Sequence, residues 1–260
     1  FTVYSLDKLK EINKTAKCLH KVQDVLVKVS TSDDVIYSGQ QSGIDLKELK
    51  SWLSEAKKLT NIRVVGATAF PCYLYDATKN AIDTTANYHT VMAATSILEQ
   101  EGCTIKQINV PSTTCVSTLE LIAKGQATMG EPGHGLTGTT PAHAFNDLEE
   151  RPAVIYLSEI SHNFKGKSYA YGGGHYRRSH VSKAIVSNGI QESIDTVQPV
   201  SNDSIDYYFE LSTPHDVSRA VIMAFRFQIF VTRSNVVLVE GIQSNQPKIL
   251  GVYTSLGQQK

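Results

Sequence analysis

Hydrophobic and polar positions follow two different periods along this chain, and the change of period divides it. Up to about residue 145, β-branched runs take turns with stretches of helical spacing. Thr2–Ser5 reads as a strand, followed by a helix from Leu6 to about Lys17 with Leu9, Ile12 and Ala16 on one face. Asp24–Ser30 is a second strand, and Asp45 with Glu48 forms a D-x-x-E capping signature. The helix it predicts buries Leu46, Leu49, Trp52, Leu53, Ala56 and Leu59. Asn61–Ala67 is a third strand, and Ala86–Gln100 carries Val91, Met92, Thr95 and Leu98 at helical spacing up to Gly102, a helix-stopping position. Thr104–Val110 is a fourth strand, Val116–Lys124 a short helix closed by Gly125, and Ala127–Gly130 a fifth strand. Strands separated by helices call for a parallel sheet with right-handed crossovers.

Beyond residue 145 the spacing shortens to that of strands alone. Ala153–Leu157, Ala184–Val186, Tyr207–Leu211, Ala220–Phe225, Gln228–Thr232 and Val236–Gly241 read as short strands. Turn clusters such as Gly172-Gly-Gly174 and Ser201-Asn-Asp-Ser204 separate them. The expected division is an α/β part over 1–145 and an all-β domain over 146–260.

Composition narrows the function. With 25 Lys plus Arg against 25 Asp plus Glu, the 260-residue chain has no net field to attract a nucleic acid or a membrane surface. Its longest apolar run, Ala220–Phe225, is far short of the ~20 residues a membrane span needs, and no basic-then-apolar leader is present. Cys18, Cys72, Cys103 and Cys115 lack metal-ligand spacing and read as free thiols of a reducing, cytoplasmic compartment. The chain opens on Phe1 and enters a strand at once, which reads as part of something longer.

In parallel α/β folds the working residues lie just past the carboxyl ends of strands, and three loops stand out, with a fourth, aromatic stretch beside them. Gly130-Glu-Pro-Gly-His-Gly-Leu-Thr-Gly138 frees backbone amides to point at an anion and carries Glu131 at a strand end; a plain turn explains the glycines too. Asn109-Val-Pro-Ser-Thr-Thr114 brings hydroxyls to a helix start, as an anion site or as an ordinary N-cap. Lys167–Arg178 gathers tyrosines, His175 and two arginines, facing a cleft or forming a solvated turn. Around residues 66–75, aromatics are placed either to stack on a planar ligand or to fill the core. His89, His143, His162, His180 and His215 show no metal spacing, and G-x-S-x-G, P-loop and G-x-G-x-x-G patterns are missing.

Taken in order, these stretches resemble the fold-type III pyridoxal 5'-phosphate (PLP) enzymes: alanine racemase, D-threonine aldolase, and the ornithine and diaminopimelate decarboxylases. T-A-F-P-C (Thr68–Cys72), E-P-G-H-G-L-T-G-T-T-P (Glu131–Pro141) and G-G-G-H-Y-R-R (Gly172–Arg178) are most similar to the YhfX-like racemases. The resemblance implies an incomplete (βα)8-type barrel, about strands four to eight, over 1–145, and a C-terminal β domain after it. It implies Glu131 facing the pyridine nitrogen, amides of Gly133 and His134 on the phosphate with Ser112 and Thr113, and Phe70 near the ring-stacking position. Tyr171, in a Y-G pair, takes the place of an acid/base tyrosine contributed across a homodimer. His175 is a second catalytic candidate, for the substrate carboxylate or as a base. Lys28 resembles a structural lysine.

Three departures qualify the match. The Schiff-base lysine of this fold lies on the barrel's first strand, so it is expected upstream, in roughly 100 residues ahead of Phe1; residues 1–260 alone are expected to be inactive. Ser38-Gly-Gln-Gln-Ser42 replaces the T-G-M-N-R pattern of alanine racemases and loses its arginine. Glu131 stands where alanine racemases place arginine, and a carboxylate there keeps the ring nitrogen protonated, a stronger electron sink. The expectation is therefore a PLP-dependent racemase of a small amino acid. The alternatives are an aldolase, dehydratase or decarboxylase of the same fold (a metal-assisted one would draw on His162 and His175), or a PLP-binding protein without turnover.

Overall fold

In the computed structural model, residues 1–173, 179, 181–201, 203–226 and 228–260 are described, the side chain of 230 excepted. They form two units, Phe1–Leu136 and Thr137–Lys260.

The first unit grows from short capped helices laid on parallel strands. Ser5 has extended backbone, and its Oγ accepts from the Lys8 amide at 3.2 Å, starting helix α1 (Leu6–Cys18). Asp7 and Lys17 sit at the ends where the helix dipole favours their charges, and α1 buries Leu9 and Ala16. Strand β1 (Thr2–Val3) pairs in parallel with β2 (Gln23–Ser30), which pairs with β4 (Ile62–Thr68), which pairs with β7 (Gln107–Asn109). The two-residue β3 (Ile44–Asp45) joins the end of β2. Strand order thus follows chain order, the winding of a (βα)8 barrel. Val25, Leu26 and Val27 are buried in succession, so β2 is covered on both faces, as parallel strands are.

Helices α2 (Leu49–Ala56), α3 (Ala86–Gln100) and α4 (Val116–Lys124) supply Leu49, Leu53, Val91, Leu98 and Ile122 to the core. Each such side chain contributes roughly 1.5–3 kcal/mol on burial. Gly102, at φ +81, ends α3 as expected. Three expectations need correction. The Asp45 carboxylate accepts from the Lys47 amide at 2.9 Å and starts a 3-10 turn, Leu46–Glu48, so α2 begins later than the capping signature indicated. Ala127–Gly130 is not a strand but a single parallel bridge, Asn109↔Met129, because Gln126 turns left-handed at φ 63 immediately before it. An unforeseen hairpin, β5 (Tyr73–Asp76) with β6 (Ala81–Thr84), turns through Asn80 at φ 51.

The second unit is antiparallel. Strands β8 (Tyr156–Phe164), β9 (Lys167–Tyr171), β10 (Lys183–Ser187), β11 (Glu192–Thr196), β12 (Tyr208–Leu211) and β13 (Ala220–Met223) form one sheet. Its order is β11-β10-β13-β8-β9-β12. Lys165 and Gly166, both at positive φ, make the tight turn of the β8–β9 hairpin. The bridge Val197↔Leu211 brings the two edge strands together, so the sheet wraps around Ile160, Val186, Phe209, Leu211, Val221 and Met223. Strands β14 (Val236–Glu240) and β15 (Lys248–Tyr253) form a separate hairpin. Gln228–Thr232, expected as a strand, holds a 3-10 turn at Ile229–Val231, closed by bonds from the Val231 and Thr232 amides to carbonyls three residues back. Within this unit Ser182 Oγ donates to the Ala144 carbonyl at 3.2 Å.

A buried carboxylate closes the seam between β11 and β12. Asp195 Oδ2 lies 2.9 Å from His215 Nε2 and accepts from the Thr213 hydroxyl (2.8 Å) and amide (3.1 Å), while Oδ1 accepts from the Thr196 amide (2.6 Å). Burial pushes this carboxyl up, but the bonds from His215, Thr213 and Thr196 outweigh it and hold it below the ordinary 3.8. A lowered folded value stabilises where the unfolded carboxyl is already ionised, and that stability is lost as pH falls through the folded value. Asp195→Ala is expected to cost on the order of 3 kcal/mol at neutral pH and clearly less near pH 3. Urea melts at both pH values check this; an equal cost at both refutes it.

Among the described residues no disulfide joins any of the four cysteines, and no helix is long and apolar enough to cross a membrane.

Candidate functional site

Parallel strands that run side by side bring their carboxyl ends to one edge, and in the first unit that edge opens into a cleft of about 560 Å³. Tyr4 follows β1, Lys28 projects from β2, Ala69 and Phe70 follow β4, Pro111 follows β7, and Glu131 follows the Met129 bridge. Gln40, Gln41 and Ser42 form a further wall. Lys28 Nζ donates to Ser42 Oγ at 2.6 Å, and burial pulls the lysine below its usual range. Phe70 meets Tyr37 edge-on, with ring centroids 5.7 Å apart.

Glu131 is exposed to this cleft yet held from two directions. Its amide donates to Thr114 Oγ1 at 3.0 Å, and its Oε1 accepts from Asn109 Nδ2 at 2.7 Å. The loop lies so close to Thr114 that a Cβ on Gly135 would sit 2.2 Å from the Thr114 carbonyl, and one on Gly130 2.8 Å from its methyl. Both glycines are therefore required by close approach. Gly133 has open space around its Cα and is exposed, and His134 is half-buried beside it.

Ser112 and Thr113 turn through φ 90 and 48, left-handed conformations that non-glycine residues rarely adopt and that cluster at ligand sites. They are not helix caps: Cys115 caps α4, with its amide bonded to Thr118 Oγ1. The Thr113 hydroxyl donates its one proton to the Tyr73 carbonyl at 3.1 Å, so only its backbone amide is left to donate to an anion. Of the aromatics around residues 66–75, Tyr73 is core and Phe70 alone lines the cleft.

In the second unit, Tyr171 ends β9 with its side chain about half exposed, at the rim of an open pocket with Ser158, Glu159 and Ser218. Its ring lies 6.0 Å from that of Tyr208, which meets His162 edge-on at 5.0 Å. The glycine of the Y-G pair has a packing reason. A Cβ on Gly172 would stand 2.3 Å from the Asp206 carbonyl, and the Gly172 amide donates to the Tyr207 carbonyl at 2.7 Å. His175 lies outside the described residues, as does His180. His162 stacks on Tyr169 at 4.9 Å and 7°, and among the described residues no group of three His, Cys, Asp or Glu side chains is placed to hold a metal.

Sequence reasoning missed Asn109 and Thr114 as the partners that fix Glu131. The available signal was an asparagine at the carboxyl end of the strand next to the acid.

Two family models match the chain: "Alanine racemase, N-terminal domain" over residues 1–141 and "YhfX-like, C-terminal domain" over residues 155–249. "Uncharacterized protein YhfX" of Escherichia coli (strain K12) is 44% identical over 258 residues, which cover 98% of this chain and 67% of that protein. An alanine racemase of Clostridium difficile 630 superposes with TM-score 0.55 at 19% identity, over 98% of this chain and 72% of its own. A diaminopimelate decarboxylase from Helicobacter pylori, complexed with L-lysine, gives TM-score 0.58 at 15% identity, over 86% and 61%. Both structural likenesses are of fold.

Proposed function

The chain belongs to the alanine racemase N-terminal-domain family, in its YhfX-like branch, and on that premise we propose that it serves a PLP-dependent racemisation of a small amino acid. The observation that carries the reading is the placement of Glu131: a carboxylate at the carboxyl edge of the barrel strands, open to the cleft and held by Asn109 and Thr114.

The donor set suits the cofactor. Glu131 would present an acceptor to a protonated ring nitrogen and Phe70 an apolar wall, both lining the cleft. Ser112, Thr113, Gly133 and His134, whose amides are proposed for the phosphate, are not among the cleft's lining residues, but their two segments meet where Gly130, Glu131 and Gly135 pack on Thr114. When bound, PLP supplies an electron sink that acidifies the substrate Cα–H. Glu131 then holds a proton on the ring nitrogen. The Tyr171 phenol would move a proton at the substrate Cα, contributed across a homodimer. His175 is proposed to meet the substrate carboxylate.

A second reading, decarboxylation within the same fold, is favoured by one residue. By the sequence resemblance Glu131 stands where alanine racemases place arginine, and a protonated ring would also support loss of carbon dioxide. One experiment separates these readings. The complete gene product is reduced with borohydride in the presence of PLP, the modified lysine is mapped, and D- and L-amino acids are then followed by chiral analysis and carbon dioxide release. Racemisation is expected, with a single lysine modified; an unmodified protein and an unchanged PLP spectrum would defeat both readings.

A further inference from the structure

We propose that Asn109 is the positioning residue that orients the Glu131 carboxylate at the cleft. Asn109 ends β7 and is 2% exposed. Its Nδ2 donates to Glu131 Oε1 at 2.7 Å and to Thr68 Oγ1 at 3.1 Å. Both amide protons are thereby used, while the buried Oδ1 has no partner among the described residues.

That imbalance carries the argument. A side-chain amide has two donors on one side and an acceptor on the other, so its two orientations present opposite faces to a neighbour. Turned over, Asn109 would gain a partner for Oδ1 in the Thr68 hydroxyl proton. It would also set Oδ1 against Glu131 Oε1 at 2.7 Å, two acceptors in contact, and leave both amide protons unpaired where Oδ1 now lies. Leaving Oδ1 unpaired is unfavourable, and the orientation is retained because the carboxylate needs the N–H. The titratable groups around Glu131 are Lys28 on β2, Tyr4 beyond β1 and Cys72 beyond β4, the last pushed by burial to about 12.

The contact itself is independent of the cofactor; its use, presenting an ionised acceptor to a protonated ring nitrogen, rests on the reading above. The test follows that division. In nitrogen-15-labelled protein without PLP, the Asn109 side-chain amide is followed against pH, in wild type and in Glu131→Gln. Its signals are expected to shift with a carboxyl titration that disappears in Glu131→Gln; signals blind to both overturn the proposal. In the complete protein, isosteric Asn109→Asp and Asn109→Leu are expected to weaken PLP binding about tenfold or more and to alter the bound absorbance spectrum. Asn109→Leu is also expected to melt no lower than wild type, because the unpaired Oδ1 is gone. A lower melting temperature with unchanged PLP binding would make Asn109 a structural residue and end the proposal. Wild-type protein that ignores PLP would fail the functional reading, and the amide titration would then decide Asn109 alone.

Discussion

Replacing Glu131 with alanine is expected to weaken PLP binding by the complete protein about ten- to a hundredfold, the range of a lost hydrogen bond to a charged group, and to reduce turnover further. In its proposed role, Glu131 would give binding an acceptor for the ring nitrogen and turnover the proton that strengthens the electron sink, and the variant would lose both. Folding should be little affected, because the side chain is exposed to the cleft and its loop remains held through the Glu131 amide and the glycines packed on Thr114. Absorbance titration gives the affinity and chiral analysis gives the rate. An unchanged spectrum together with unchanged turnover would show that this carboxylate does not face the ring.

The largest structural effect is expected from Gly66→Ala. Gly66 sits in β4 between Leu26 of β2 and Gln107 of β7, at the point where the β2–β4 register shifts. A Cβ there would stand 1.7 Å from the Gln107 carbonyl oxygen and 2.8 Å from its carbon. Backbone hydrogen-bonded into the middle of a sheet cannot yield as a flexible side chain can, so the β4–β7 pairing would separate. A loss of more than about 4 kcal/mol is expected, enough to unfold the first unit. Gly133→Ala, where an added Cβ meets nothing within 4 Å, serves as the control and should leave the melting curve in place. Comparable melting of the two variants would refute the clash.

What the sequence disclosed and what it hid divide along physical lines. The parallel sheet was legible because β2 and β4 are buried on both faces and write their burial into continuous β-branched runs. Glu131 stood out through the glycines around it, and those glycines prove to be demanded by contact with Thr114. The partners of Glu131 were hidden because Asn109 and Thr114 reach it across the sheet, over 22 and 17 residues of chain, a contact that no local pattern records. The β5–β6 hairpin was obscured by its tyrosines, which spacing alone could not assign to strand or loop. At Gln228–Thr232 β-branched composition gave the wrong answer, since a 3-10 turn satisfies its amides locally. The closure of the second sheet was likewise beyond pattern reading, because the Asp195, Thr213 and His215 side chains that seal it carry no periodicity of their own.

The pairing order of the two sheets has a consequence for how the chain is made. A ribosome releases residues from the amino end, and in the first unit each emerging strand meets a neighbour that is already outside. The second unit cannot grow that way. Its hairpins β8–β9 and β10–β11 emerge early, but the strand that stitches them together, Ala220–Met223, is the last of the six to leave the exit tunnel. Until then the nascent domain is two ribbons with unsatisfied edges, so a pause in translation before that stretch holds the polypeptide with open strand edges, which invite aggregation.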